Sequence, residues 1–133
     1  MSEENVEIVR AALDAFTRGD IEASLAHFSD DTEFVAPPDV TGSGRVWRGR
    51  EGVSQGVGGF VGSWAEFHYE ERALIDSGDE VLVEGWQRGR GKGSGIEVSE
   101  SIYTVWTVRG EFVVRLRIFR ERDLALEAAG LLE

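Results

Sequence analysis

The stretch that most constrains this chain is Ile96–Phe119, IEVSESIYTVWTVRGEFVVRLRIF. β-Branched and aromatic residues fill both arms, and Arg109-Gly110-Glu111 separates them. This pattern reads as two long strands joined by a tight turn, with Gly110 supplying the positive φ a short hairpin needs. With Arg109 and Gly110 as the loop, Trp106 faces Val113, Thr104 faces Arg115, Ile102 faces Arg117, and Glu100 faces Phe119. Alternation then groups Glu100, Ile102, Thr104, Trp106, Val113, Arg115, Arg117 and Phe119 on one mixed face. Ser101, Tyr103, Val105, Thr107, Phe112, Val114, Leu116 and Ile118 form the other, mostly apolar face. Moving the turn by one residue changes the register and keeps both sets. Neither set is a plain solvent face.

The remaining elements follow in order. Val6, Val9, Leu13 and Phe16 recur at helical spacing over residues 3–18, which Gly19 ends. Ser2 is positioned to cap this helix, and Asp20 to cap a shorter one over 21–28. Ser29-Asp30-Asp31 reads as a turn, and 32–36 as a strand stopped by Pro37-Pro38. Asp30, Asp31 and Asp39 suit turns for backbone reasons. Residues 45–47 form a possible strand. Residues 50–63 predict a third, glycine-rich helix, although each helical Gly costs about 1 kcal/mol relative to Ala. From Trp64 the pattern turns β: 65–75, with Phe67, Tyr69, Ala73 and Ile75 of one parity, then 80–90, then the hairpin. Residues 121–129 form an amphipathic tail helix carrying Leu124 and Leu126. Helices grouped ahead of long antiparallel strands imply an α+β domain.

At 133 residues the chain is expected to be one domain spanning 1–133. The formal charge of −11 opposes nucleic-acid binding and an acidic membrane surface alike. The basic stretch Arg88–Lys92 could touch a phosphate; a strand end kept soluble by charge is the plainer reading. No apolar run approaches the roughly 20 residues of a membrane span, and the acidic start has no apolar signal region. A cytoplasmic location is the expectation. With no cysteine, thiolate metal sites and cysteine nucleophiles are excluded. His27 and His68 lie far apart, which argues against a metal site. No cofactor fingerprint is present: GRGKGSG has the spacing of neither a P-loop nor a dinucleotide motif.

Several segments resemble SnoaL-like proteins of the nuclear transport factor 2-like superfamily: ENVEIVRAALDAFTRGDIEASLAHFSDDTEFVAPP, VWRGREGV, GRGKGSGIEV and RLRIFRERDLALEAAGL. The resemblance covers nearly the whole chain. It implies a cone, in which a curved mixed β-sheet is packed by three helices of the N-terminal half and followed by a short C-terminal helix. It also implies a small-molecule pocket and a homodimer on the outer sheet face. In SnoaL-type cyclases a His and an Asp on the last two long strands carry catalysis. Here Thr104 stands at the His position, and Arg115 and Arg117 take the expected pocket-facing positions of the last strand, so the cyclase pair is not carried over.

The candidate site therefore rests on the mixed hairpin face. Glu100 is the candidate proton-transfer group and Arg117 its electrostatic partner, able to stabilise an enolate or bind a carboxylate. A structural ion pair at the pocket mouth is the plainer alternative. Phe16, Phe28, Trp47, Phe60, Trp64, Thr104, Trp106, Arg115 and Phe119 are the candidate ligand contacts. Glu84 is the best remaining buried-acid candidate and the alternative proton-transfer group, and its facing, like that of Trp86, is open. Two functions fit: a cofactor-independent isomerase, cyclase, dehydratase or hydrolase acting on a largely apolar substrate, or a non-catalytic ligand-binding or dimerisation module.

Overall fold

The computed structural model describes residues 2–36 and 45–131. The Pro37-Pro38 stop and Asp39 lie outside them. Helix α1, Ser2–Thr17, leads through Gly19 (φ 81°) to α2, Ile21–Leu25. The Asp20 side chain accepts from the Ala23 amide, which satisfies one of the free N–H groups at the start of α2. Ser24 Oγ donates to the Ala12 carbonyl at 2.8 Å and ties the two helices together. Strand β1, Phe28–Ala36, begins four residues before the expected strand and absorbs the predicted Ser29–Asp31 turn as an irregularity in its pairing. It is followed by β2, Arg45–Arg48, and α3, Gly49–Gly62. Then come β3, Trp64–Ser77; β4, Glu80–Gly91; β5, Glu97–Arg109; β6, Phe112–Phe119; and α4, Arg122–Ala128.

The six strands form one curved sheet in the order β2-β1-β6-β5-β4-β3. Only the β1–β6 pairing is parallel, so the sheet is mixed. The α+β cone expected from the sequence is thus the observed fold. Inside it Val9, Leu13, Phe28, Phe34, Val53, Val81, Val83, Ile102, Trp106, Leu116 and Ile118 form one core. A second, smaller cluster lies on the other face of the sheet, where Ala125 and Ala129 pack with Leu82 and Val105. The tail helix packs through these alanines, whereas Leu124 is exposed.

Two β-bulges decide which side chains enter the cone. The hairpin turn is Gly110-Glu111, flanked by the Arg109–Phe112 pair, with positive φ at both residues (56° and 77°). That shift alone preserves the expected faces. However, Val108 pairs with Val113 while Thr107 pairs with Arg115, so Val114 is an extra residue on β6. Beyond this bulge the parity of β6 is reversed. Ile102, Thr104 and Trp106 face the cone as expected, but their neighbours from β6 are Leu116 and Ile118. Arg115, Arg117 and Phe119 are carried to the outer face. Arg72 is likewise extra on β3, between the Glu71–Gly85 and Ala73–Glu84 pairs. Phe67 and Tyr69 therefore point into the cone, while Ala73 and Ile75 share the outer face with Glu84 and Leu82.

Candidate functional site: an apolar cone with few polar groups

The cone holds a partly open cavity of about 120 Å³. Its walls come from α1 and α2 (Leu13, Phe16, Ser24, Leu25), β1 and β2 (Phe28, Phe34, Trp47), and α3 (Val53, Val57, Phe60). Phe67, Tyr69, Gln87, Ile102, Thr104, Trp106, Leu116 and Ile118 complete the sheet side. Among the described residues, none that lines the cavity is charged.

Close backbone approach shapes these walls. Phe34 and Trp47 stack with ring centroids 5.2 Å apart against Gly56 of α3. A Cβ at Gly56 would come within 2.7 Å of the Phe34 ring and 2.8 Å of Trp47, so only glycine fits. On β4, Gly85 does the same for Tyr69. A Cβ there would meet the Tyr69 hydroxyl at 2.3 Å, so the phenol lies flat across the strand with its oxygen over Gly85.

The polar groups are few. The Tyr69 hydroxyl is buried and has no hydrogen-bond partner among the described residues. Burial, and then the negative charge of Glu71, raise its pKa well above the ordinary tyrosine value, so it stays a protonated donor. Trp106 Nε1 donates to Thr104 Oγ1 at 2.7 Å. Gln87, 2% exposed, donates Nε2 to Glu100 Oε2 at 3.0 Å. Glu100 is also 3.6 Å from Arg120.

The expected site residues fall into two groups. Phe16, Phe28, Trp47, Phe60, Thr104 and Trp106 line the cavity together. Trp64 stands behind it, with its ring centroid 6.1 Å from that of Phe60 and 5.8 Å from that of Phe67. Glu100 reaches the cavity only through Gln87. The expected Glu100–Arg117 partnership is not made, because the Val114 bulge puts them on opposite faces. Arg117 donates to Glu80 Oε1 at 3.4 Å and to the Ala128 carbonyl at 3.3 Å. Arg115 lies 3.9 Å from the same Glu80. Burial and the neighbouring Arg115 lower the Arg117 pKa, while Glu80 opposes them. Phe119 packs outside, beside Tyr103 and α4. Glu84 and Trp86 also face outward: Glu84 accepts from Arg122 at 2.6 Å, and Arg72 stacks 4.6 Å from the Trp86 ring. Among the described residues, no three His, Asp or Glu side chains are grouped to hold a metal ion, and no helix is long and apolar enough to cross a membrane.

Sequence reasoning passed over Gln87 and did not place Tyr69 among the candidate contacts. The signal that could have found them is shared parity with Phe67 on β3 and with Val81 and Val83 on β4.

Comparison with known proteins agrees with this architecture. The SnoaL-like domain family matches residues 9–116, and the chain belongs to that family. No curated protein is a significant sequence match. Among solved structures, a nuclear transport factor 2-like protein from Burkholderia xenovorans is similar at 27% identity and a TM-score of 0.76, with 97% of each chain covered. TerC, co-crystallised with polyporic acid, superposes at 22% identity and a TM-score of 0.77, covering 96% of this chain and 98% of its own. A putative SnoaL-like polyketide cyclase from Jannaschia sp. superposes at 18% identity and a TM-score of 0.78, covering 99% and 94%. The family includes polyketide cyclases and ketosteroid isomerase-like proteins.

Proposed function

We propose that this chain binds a small, uncharged, largely apolar molecule in the cone and directs one hydrogen-bond acceptor of it at the Tyr69 hydroxyl. The observation that carries the reading is that hydroxyl, buried and without a partner among the described residues, on a tyrosine that lines a cavity whose described walls carry no charge. An unsatisfied buried donor costs about 1–3 kcal/mol, and a ligand acceptor would recover part of this. A charged ligand would lose its hydration with nothing to replace it. Apolar cavities of about 150 Å³ accept a benzene ring; this one is somewhat smaller but partly open, so it suits one ring at most, with part of the ligand extending into the opening. That TerC was crystallised with polyporic acid agrees with ligand binding by analogy of fold alone.

Acetophenone binding, followed by quenching of Trp47 and Trp106 fluorescence, tests the reading. Tyr69→Phe should weaken binding about 3–10-fold, the worth of one hydrogen bond. Val57→Trp, which fills the cavity from α3, should abolish it. Equal affinity in all three proteins would overturn the reading.

A second reading keeps proton transfer by Glu100, favoured by its hydrogen bond to the cavity-lining Gln87. Arg117 has no part in it. Deuteration of the acetophenone methyl group in heavy water, by the wild type and not by Glu100→Gln, would carry this reading. No exchange above the buffer rate would leave a binding module. A cytoplasmic homodimer, paired through the outer sheet face, belongs to both readings.

A further inference from the structure

Gln87 is the one cavity-lining amide, and its neighbour fixes which way it points. A carboxylate offers only acceptors, so the Gln87 atom facing Glu100 must be the NH₂ group, and Nε2 indeed lies 3.0 Å from Glu100 Oε2. Arg120, 3.6 Å from the same carboxylate oxygen, holds Glu100 in place from the other side. The carbonyl oxygen of Gln87 is then the atom left over, and no described residue donates to it. Gln87 is directly paired with Tyr69 across β3 and β4, and the Tyr69 hydroxyl rests over Gly85, two residues along β4. Two neighbouring strands therefore place a buried donor and an acceptor side by side at one wall of a mostly apolar cavity.

We propose that Gln87, oriented by Glu100, is the specificity-determining residue of the cone, and that with Tyr69 it selects a neutral ligand carrying a hydrogen-bond acceptor and a hydrogen-bond donor on one edge. This rests on the binding reading above and adds the donor requirement. Amides, lactams, hydroxy-ketones and enolised diones meet the requirement. Simple ketones meet half of it. Carboxylates fail, because they bring charge and no donor, and they would face the Gln87 oxygen with the Glu100 carboxylate behind it.

Four single-ring probes separate these cases by titration calorimetry: ethylbenzene, acetophenone, benzamide and benzoate, with 3-hydroxyacetophenone as a wider donor–acceptor pair. The expected result is that benzamide or 3-hydroxyacetophenone binds about 3–10-fold tighter than acetophenone, the worth of one added hydrogen bond. Benzoate should not bind measurably. Gln87→Leu should erase the preference while retaining acetophenone. Glu100→Gln removes the pure acceptor, lets the Gln87 amide turn either way, and should reduce the preference without Gln87 itself being changed. This second variant serves if Gln87→Leu does not fold. Equal affinity for acetophenone and both donor-bearing probes in the wild type would overturn the inference and leave the binding reading standing. Failure of every probe, ethylbenzene included, would overturn both.

Discussion

The inner and outer faces of β3, β4, β5 and β6 are built from alternate residues of the same strands, yet they handle polar groups differently. On the inner face polar atoms are sparse, and one, the Tyr69 hydroxyl, is left unpaired. On the outer face, charges are grouped and matched. Glu80 accepts from Thr107 Oγ1 at 2.6 Å and from Arg117, with Arg115 beside it, and Glu84 takes Arg122. The outer network anchors the tail helix through the Ala128 carbonyl; Ser77 Oγ does the same at the Ala129 carbonyl at 2.8 Å. The difference teaches where function can reside. Among the described residues, the outer charges compensate one another although Arg115 Nε and Arg117 Nε lack hydrogen-bond partners, whereas the inner face places its unpaired hydroxyl beside an uncharged cavity.

The comparison breaks most readily at Trp106. It is 4% exposed, packs at 5.8 Å centroid distance on Phe28, and forms part of the cavity wall. Trp106→Ala should cost about 3–5 kcal/mol of stability, as large aromatic deletions in cores do. A urea unfolding midpoint close to the wild-type value would mean the cone interior is not a packed core. The outer face should yield less. Glu80→Gln leaves two guanidinium groups without their shared countercharge. Removing one partner of a fully buried pair costs about 3–5 kcal/mol, but partial exposure screens this cluster, so we expect about 1–2 kcal/mol. The loss should shrink in 1 M salt, where charges are screened within about 3 Å. A salt-independent loss would show that Glu80 acts by packing rather than charge.

Much of the fold was legible. The hairpin, the helix pair joined by Gly19-Asp20 and the strand order of the second half follow from periodicity and turn residues, and the segments resembling SnoaL-like proteins supplied the cone. Phe16, Phe28, Trp47 and Phe60 were legible as wall aromatics, and on the hairpin the candidate site was legible on β5, where Ile102, Thr104 and Trp106 keep their alternation to the end. On β6 and β3 the alternation fails at Val114 and Arg72, ordinary strand residues that carry no turn or bulge signature. Each flips everything beyond it, so Arg115 and Arg117 were assigned to the cone and Leu116 and Ile118 were not. The glycines misled in a second way. In sequence Gly56 reads as a helix weakness and Gly85 as a gap in a strand. In space each is the seat of an aromatic ring, a role set by residues distant in the chain. Gln87 was missed because a polar residue on a strand reads as solvent-facing until its cross-strand neighbours are known.

The finest test of the contrast between faces is Tyr69→Phe, which deletes the unpaired hydroxyl and nothing else. At pH 8 the phenol is neutral in both folded and unfolded chains. Removing a buried donor without a partner should leave stability unchanged or raise it by up to about 1 kcal/mol. Above pH ~10, the ordinary tyrosine value, the unfolded chain loses this proton, whereas burial keeps it on Tyr69 in the folded protein. The folded state then binds more protons than the unfolded state, so wild-type stability must fall as pH rises. The phenylalanine variant lacks this term. The gap between the two proteins should widen in favour of Tyr69→Phe by about 1.4 kcal/mol per pH unit above 10, read from urea midpoints at pH 8, 10 and 11. Other titrating groups move both proteins together and cancel in the difference. A Tyr69→Phe protein less stable than wild type at pH 8, with no widening gap, would mean the hydroxyl is already satisfied. The inner face would then offer no vacant hydrogen bond for a ligand to fill.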